Sequence, residues 1–248
     1  MKKFGLIGHP IAHSLSPALF KAAYDGKYAY DLIEGEDFET SYRRFAEEYN
    51  AINVTAPFKE PAFYKADILS EECKVTGAPN LLVKTPEGIK AYNSDFLGVR
   101  MWLSEVAEDL KGVKILIVGL GGAGKAAAAA AESLGMEVIR MNRTVRDSTT
   151  HPLDEFRQYF QEADIIIYNI PTAIPELKEL TESDFAADRP KHILEANYKD
   201  PSMAEILKPF GSKAVYTGGR TWLLYQAVTG YEILTGEKPD LRRMSDVL

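Results

Sequence analysis

Short apolar runs alternate with longer amphipathic stretches from one end of the chain to the other. Phe4-Gly-Leu-Ile-Gly8 precedes a helix expected from about Pro17, and Tyr28 to Ile33 precedes another over Phe38 to Tyr49. Strand-length and helix-length segments in alternation predict α/β layering around a mainly parallel sheet. A second unit opens near Lys111-Gly112, where Val113-Lys-Ile-Leu-Ile-Val118 reads as a buried strand and the alanine-rich Lys125 to Leu134 as a strong helix former. Glu137 to Met141, Asp164 to Asn169 and His192 to Ala196 continue that unit as strands until Gly218-Gly219 breaks the pattern. Trp222 to Leu234, apolar on most faces, reads as a long helix that Gly236 and Pro239 stop. Asp95 to Asp109 reads as a helix carrying the chain between units. The pattern thus predicts a two-domain α/β protein, with one domain over 1–100 completed by 220–248 and a second over 101–219. The C-terminal helix returns to the first domain, and a cleft lies between the two.

Composition narrows the class. The chain has 248 residues, 46% hydrophobic and 26% charged, which suits one large or two small soluble domains. No apolar run approaches the roughly 20 residues that a membrane crossing needs. Met1-Lys-Lys-Phe-Gly-Leu-Ile-Gly reads as a first strand and not a secretion signal, so a cytoplasmic protein is expected. A formal charge of −7 argues against nucleic acid as a partner. One cysteine, Cys73, and four scattered histidines, His9, His13, His151 and His192, offer no metal-ligand spacing, so no metal is expected. Monomer and homodimer both remain open.

Candidate chemistry begins with Gly119-Leu-Gly121-Gly122-Ala123-Gly124, which fits G-x-G-x-x-G directly after a strand and at the opening of a helix. Small residues there let backbone N–H groups reach a pyrophosphate at the positive end of the helix. The acidic residue that accepts the ribose hydroxyls of NAD, expected about 20 residues on, is missing. Asn142-Arg143-Thr144 stands there instead, with Arg146 close behind. A planar, permanently charged guanidinium suits a phosphate, which favours NADP as cofactor, although both arginines also read as plain solvated loop residues. The second domain is accordingly a Rossmann-type NADP-binding domain.

The first domain carries ionisable groups among neutral ones. Lys59 follows Pro57, a residue suited to a first helical turn, so the strand ending Asn53-Val-Thr55 and Lys59 reach one edge. Asn53, Thr55 and Asn80 exchange hydrogen bonds without charge, which suits a substrate with several hydroxyls, while Lys59 can protonate a carbonyl oxygen. Asp95 would hold Lys59, its charge favouring the ammonium form that burial opposes; it also reads as a helix N-cap within Asn93-Ser-Asp95. His13-Ser14-Leu-Ser16-Pro17 presents two hydroxyls at a helix start, as a carboxylate site or as a simple Ser16 cap. Gln226 either faces the cleft or bonds to a neighbouring loop.

These segments resemble the shikimate dehydrogenase family in order and over nearly the whole chain. Gly8-His-Pro-Ile-Ala-His-Ser14-Leu-Ser16-Pro17 resembles its carboxylate-binding motif, and Asn53-Val-Thr55-Ala-Pro-Phe-Lys59 its catalytic-lysine motif. Gly77-Ala-Pro-Asn80 and Asn93-Ser-Asp95 resemble its asparagine and aspartate motifs. Val118 to Gly124 and Asn142-Arg143-Thr144 are similar to its NADP loop and 2′-phosphate site, and Gly219-Arg-Thr-Trp-Leu-Leu-Tyr-Gln226 to its terminal glutamine helix. The resemblance implies that Tyr198 stands near the substrate, that Gly219 belongs with the cofactor residues, and that Lys59 and Asp95 act at the reacting oxygen. The implied reaction is reversible reduction of 3-dehydroshikimate to shikimate by NADPH, on the way to chorismate and the aromatic amino acids. Leu81, Ser94 and Trp222 depart from the family's usual residues, and Thr149-Thr-His-Pro152 replaces a fuller helix. The alternatives are a quinate/shikimate dehydrogenase using NAD or NADP, and a non-catalytic relative that keeps the fold and binds ligand.

Overall fold

The computed structural model describes residues 2–248. Six strands make the first sheet: β1 (Lys3–Gly8), β2 (Ala29–Glu34), β3 (Ala51–Val54), β4 (Ile68–Leu69), β5 (Leu81–Thr85) and β6 (Gly88–Tyr92), in the order β2-β1-β3-β5-β6-β4. β1 pairs in parallel with β2 and β3, whereas β5 runs antiparallel to both β3 and β6. The first sheet is therefore mixed, with three parallel pairings and two antiparallel ones, so the expected mainly parallel layering holds with an antiparallel hairpin added. Its hairpin turns on Pro86-Glu87, outside the Asn-Gly and Asp-Gly pairs that mark hairpins most clearly. One face packs Ile7, Ile33, Val54, Leu82 and Ala91 against Phe38, Phe45 and Phe58.

The second sheet contains β7 (Lys114–Val118), β8 (Glu137–Met141), β9 (Thr150–His151), β10 (Ile165–Tyr168), β11 (Lys191–Glu195) and β12 (Ala214–Thr217). Every pairing is parallel, in the order β12-β11-β10-β7-β8-β9. Taking β7 as the first strand, this is the doubly wound order 3-2-1-4-5-6, in which the winding reverses between β7 and β10 and ligands bind beyond the strand ends there. Ile115 to Val118 and Ile165 to Tyr168 are fully buried, as central strands covered on both faces require. Leu116, Val118, Phe156, Phe160, Ile166 and Ile193 share one core.

The chain divides into two compact units, one ending at Gly98 and resuming at Leu224–Leu248, the other covering Val99–Leu223. In the first unit, the helix Gly219–Thr235 sends its later residues back to the N-terminal segment: Tyr24 Oη lies 2.8 Å from Thr235 Oγ1, and Asp240 N–H donates to the Ala23 carbonyl at 3.0 Å. That helix opens at Gly219, three residues before the expected start, so Gly219 begins the element where a break was expected. The connecting helix is Ser94–Val106. Thr149 to Pro152 holds the short strand β9, and a helix follows over Phe156–Glu162.

Candidate active site

Lys59 opens the helix Lys59–Lys65, and its Nζ lies 2.6 Å from Asp95 Oδ2, both side chains being mostly shielded. Pro57 stands two residues before that helix, in the turn closed by Phe58 N–H donating to the Thr55 carbonyl at 2.9 Å, so it does not occupy the first helical turn as expected. The N-cap reading of Asp95 also fails, because Asn93 caps the helix instead, its Oδ1 accepting from Phe96 N–H at 3.0 Å. Asn93 Nδ2 in turn donates to the Ala78 carbonyl at 2.7 Å, which ties the helix start to the segment before Asn80. With the cap supplied from Asn93, the Asp95 carboxylate meets the lysine.

Neutral side chains are oriented with equal care. Asn53, buried on β3, accepts the Tyr30 hydroxyl at 2.8 Å through Oδ1. Asn80, also buried, accepts Ser94 N–H at 2.7 Å. Ser94 Oγ donates to Gln226 Oε1 at 3.1 Å, so Gln226 is joined to the start of the helix Ser94–Val106. Gly98 makes that approach possible, since a Cβ there would stand 2.6 Å from Gln226 N. Thr55 is half-buried at the end of β3, its N–H donating to the Ile7 carbonyl at 2.9 Å. Leu81 and Ser94, two of the residues that depart from the family's usual ones, are fully enclosed, and Trp222 is buried.

At the other helix start, Ser14 Oγ and Ser16 Oγ lie 3.1 Å apart, and Ser16 N–H donates to Ser14 Oγ at 3.2 Å. Ser16 is the first residue of the helix Ser16–Ala23 and does not cap it; Leu15 holds the cap position without a side-chain bond. Tyr231 Oη donates to the Ser16 carbonyl at 3.1 Å. Burial pushes the Tyr30 and Tyr231 phenols well above their ordinary values, which keeps both protonated.

In the second unit, the glycine loop joins β7 to the helix Gly122–Ser133. Gly119 has φ +87°, a conformation side chains resist, and a Cβ on Gly124 would collide with the Gly119 carbonyl. Gly121 and Gly122 are exposed with nothing within 4 Å of a Cβ position, and Ala123 sits in the same first turn. Asn142 Oδ1 accepts Leu120 N–H at 3.3 Å, while its Nδ2 donates to the Thr144 carbonyl at 3.1 Å, so one side chain braces both segments. Arg143 and Arg146 are exposed, and neither has an ion-pair or hydrogen-bond partner among the described residues. Asn169 Oδ1, beside this loop after β10, is a buried acceptor with no partner among the described residues. An open glycine cradle, an unsatisfied amide and two uncommitted guanidinium groups fit a phosphate-rich dinucleotide.

Tyr198 belongs to the second unit, half-buried on the loop after β11. That loop is anchored by Glu195, whose fully buried carboxylate accepts from Ser202 N–H at 2.7 Å, Met203 N–H at 3.2 Å and Tyr216 Oη at 2.7 Å. Gly219 lies directly against it, a Cβ there falling 2.8 Å from the Ala196 carbonyl carbon. Motif reading passed over Tyr30, Asn93, Asn169 and Glu195. Two of them had a local signal: Tyr30 is a polar-tipped aromatic in the strand beside the N-terminal one, and Asn93 opens the capping sequence Asn93-Ser-Asp95.

Comparison with known proteins identifies the family. Residues 6–82 match the family described as Shikimate dehydrogenase substrate binding domain, and residues 81–194 the family described as D-isomer specific 2-hydroxyacid dehydrogenase, NAD binding domain. Shikimate dehydrogenase (NADP(+)) of Caldanaerobacter subterraneus is 30% identical, over 95% of this chain and 92% of that protein. The enzyme of the same name from Natronomonas pharaonis is 31% identical, over 100% and 98%. The crystal structure of shikimate 5-dehydrogenase from Thermus thermophilus in complex with NADP(H) and shikimate superposes with a TM-score of 0.78 at 25% identity, covering 100% of this chain and 98% of that one. With such likeness sustained along nearly the full length, the chain belongs to the shikimate dehydrogenase family.

Proposed function

We propose that the protein catalyses the reversible NADP-linked oxidation of shikimate to 3-dehydroshikimate. The observation that carries this reading is the shielded Lys59–Asp95 pair at 2.6 Å in a unit whose other polar site residues are neutral amides and hydroxyls. In the reduction direction Lys59 gives a proton to the carbonyl oxygen as it becomes a hydroxyl, and in oxidation the same nitrogen takes that proton back. Asp95 fixes the lysine so that its remaining protons point toward the substrate oxygen. Asn53, Thr55, Asn80, Gln226 and Tyr198 meet the ring hydroxyls, and the Ser14 and Ser16 hydroxyls meet the carboxylate. NADP, when bound, supplies the hydride acceptor. Gly119, Gly121, Gly122, Ala123, Gly124 and Gly219 would hold its backbone-facing part, and Asn142, Arg143, Thr144 and Arg146 its 2′-phosphate. The uncommitted guanidinium groups of Arg143 and Arg146 support NADP over NAD. The reading extends to a cytoplasmic enzyme, monomeric or dimeric. Absorbance at the NADPH band, with purified protein, shikimate and NADP, tests it: shikimate-dependent growth is expected, and a flat trace from folded protein across neutral to alkaline pH refutes the reading. Running quinate and NAD in parallel separates the broader-specificity enzyme.

A further inference from the structure

An amide side chain has two faces of opposite polarity, and whichever face the protein occupies leaves the other for a ligand. Tyr30 Oη donates to Asn53 Oδ1 at 2.8 Å. Its ring is held in place, 4.6 Å from Phe20 and 6.1 Å from Tyr231 between centroids. Asn53 is equally constrained, because its backbone is registered between Leu6 and Leu81 in the sheet. Its Nδ2 has no partner among the described residues and is not sealed in the interior, so this amino group reaches solvent. Asn80 has the same polarity by a bond that cannot be reversed, since a backbone N–H, that of Ser94, occupies its Oδ1.

We infer that Tyr30 is a positioning residue that fixes Asn53 as a hydrogen-bond donor toward the substrate, so that this subsite selects a ring group able to accept. The inference rests on the reading of Asn53 as a substrate ligand. A hydroxyl satisfies such a site by accepting and turns its own proton elsewhere. An ammonium group, which only donates, meets the amino group donor to donor. Without the Tyr30 hydroxyl the amide can rotate and present either face, which removes the selection and leaves the fold in place.

The test uses the full-length protein with NADP, shikimate as substrate, and three shikimate analogues as competitive inhibitors, each with one ring hydroxyl replaced by an amino group. Wild type, Tyr30→Phe and Asn53→Asp are compared. In the wild type one analogue should bind about 100-fold more weakly than shikimate, the scale of rejection when a polar site meets the wrong partner. Asn53→Asp turns the outward atom into an acceptor, so that same analogue should overtake shikimate. Tyr30→Phe should narrow the wild-type discrimination by about tenfold and raise KM for shikimate, with kcat within about twofold, as expected when binding alone is affected. Unmoved KM and discrimination in Tyr30→Phe, or an unchanged order of ligands in Asn53→Asp, overturns the inference. Should Tyr30→Phe fail to fold, Asn53→Asp decides alone, because it retains the tyrosine. A wild type that turns over shikimate while the variants behave like it sinks this inference only; a wild type inert toward shikimate sinks the proposed function and this inference with it.

Discussion

Lys59 and Asp95 come together because a third residue, Asn93, caps the helix that carries the aspartate. If the lysine acts mainly on the proton in flight, Lys59→Ala should lower kcat by about 100-fold or more while KM changes little, the signature of an interaction made in the transition state. Steady-state kinetics decide it, and an unchanged kcat removes Lys59 from the chemistry. Arg143 poses a different problem, since it stands exposed with no protein partner among the described residues. Arg143→Ala should weaken NADP by roughly tenfold and leave NAD nearly untouched, and added salt should erode the wild-type preference, because exposed phosphate contacts are screened. Equal losses for both cofactors would show that the side chain does not read the 2′-phosphate.

At the scale of elements, the glycine loop separates two roles that its sequence cannot. Gly124 is needed for the loop's own shape, whereas Gly121 faces open space. Gly124→Ala should therefore lower the melting temperature of the cofactor-free protein by several degrees, at about 2–4 °C per kcal/mol for a chain of this size. Gly121→Ala should leave that temperature alone and weaken NADP; a melting scan of both variants, with and without NADP, separates the cases. The loop itself was readable because a buried apolar strand, small residues and an alanine-rich helix occur in one run, and β1, β7, β8, β10 and β11 announced themselves through their apolar runs in the same way. β5, β6, β9 and β12 did not. Length does not separate the two groups, since β7, β8, β10 and β11 are equally short; the pairing of β5, β6, β9 and β12 depends on the fold around them. The site divides likewise. Lys59, Asp95 and the asparagines were legible as residue types that chemistry needs, but the choice of Asn93 as cap, and the grip of Tyr30 on Asn53, follow from which hydrogen bonds the fold makes available.

On the scale of the molecule, the two units respond to pH through different groups. Asp184 in the second unit has a fully enclosed carboxylate. Burial alone would raise it, yet donation from Arg157, Gln161 and Thr181 outweighs that and brings it down to about 2. A depressed carboxyl stabilises the fold above its unfolded value near 4 and loses that contribution as pH falls toward 2, an effect of roughly 2 kcal/mol. Asp184→Asn should flatten the acid limb of the stability curve between about pH 4 and pH 2 relative to wild type, as followed by urea melts. In the first unit, burial holds the Tyr24 phenol and the Cys73 thiol up at about 12. Stability from these neutral groups is complete below their unfolded values, near 10 and 9, and is lost as pH rises toward 12.

One unit is interrupted by the other, and this sets an order in time as well as in space. Leu224–Leu248 complete the unit that the first 98 residues begin. During synthesis the segment Val99–Leu223 can therefore close as soon as its last residue leaves the ribosome, while the first helix of the N-terminal unit still lacks the partners of Ser16, Ala23 and Tyr24 on Tyr231, Asp240 and Thr235. Domains generally fold as units and in the order in which they emerge. Here the part made first should be finished last. A nascent chain halted after Leu223 should protect its nucleotide-binding half from protease and leave its N-terminal half open to cleavage; equal protection of both halves would mean that the terminal helix joins a structure already formed.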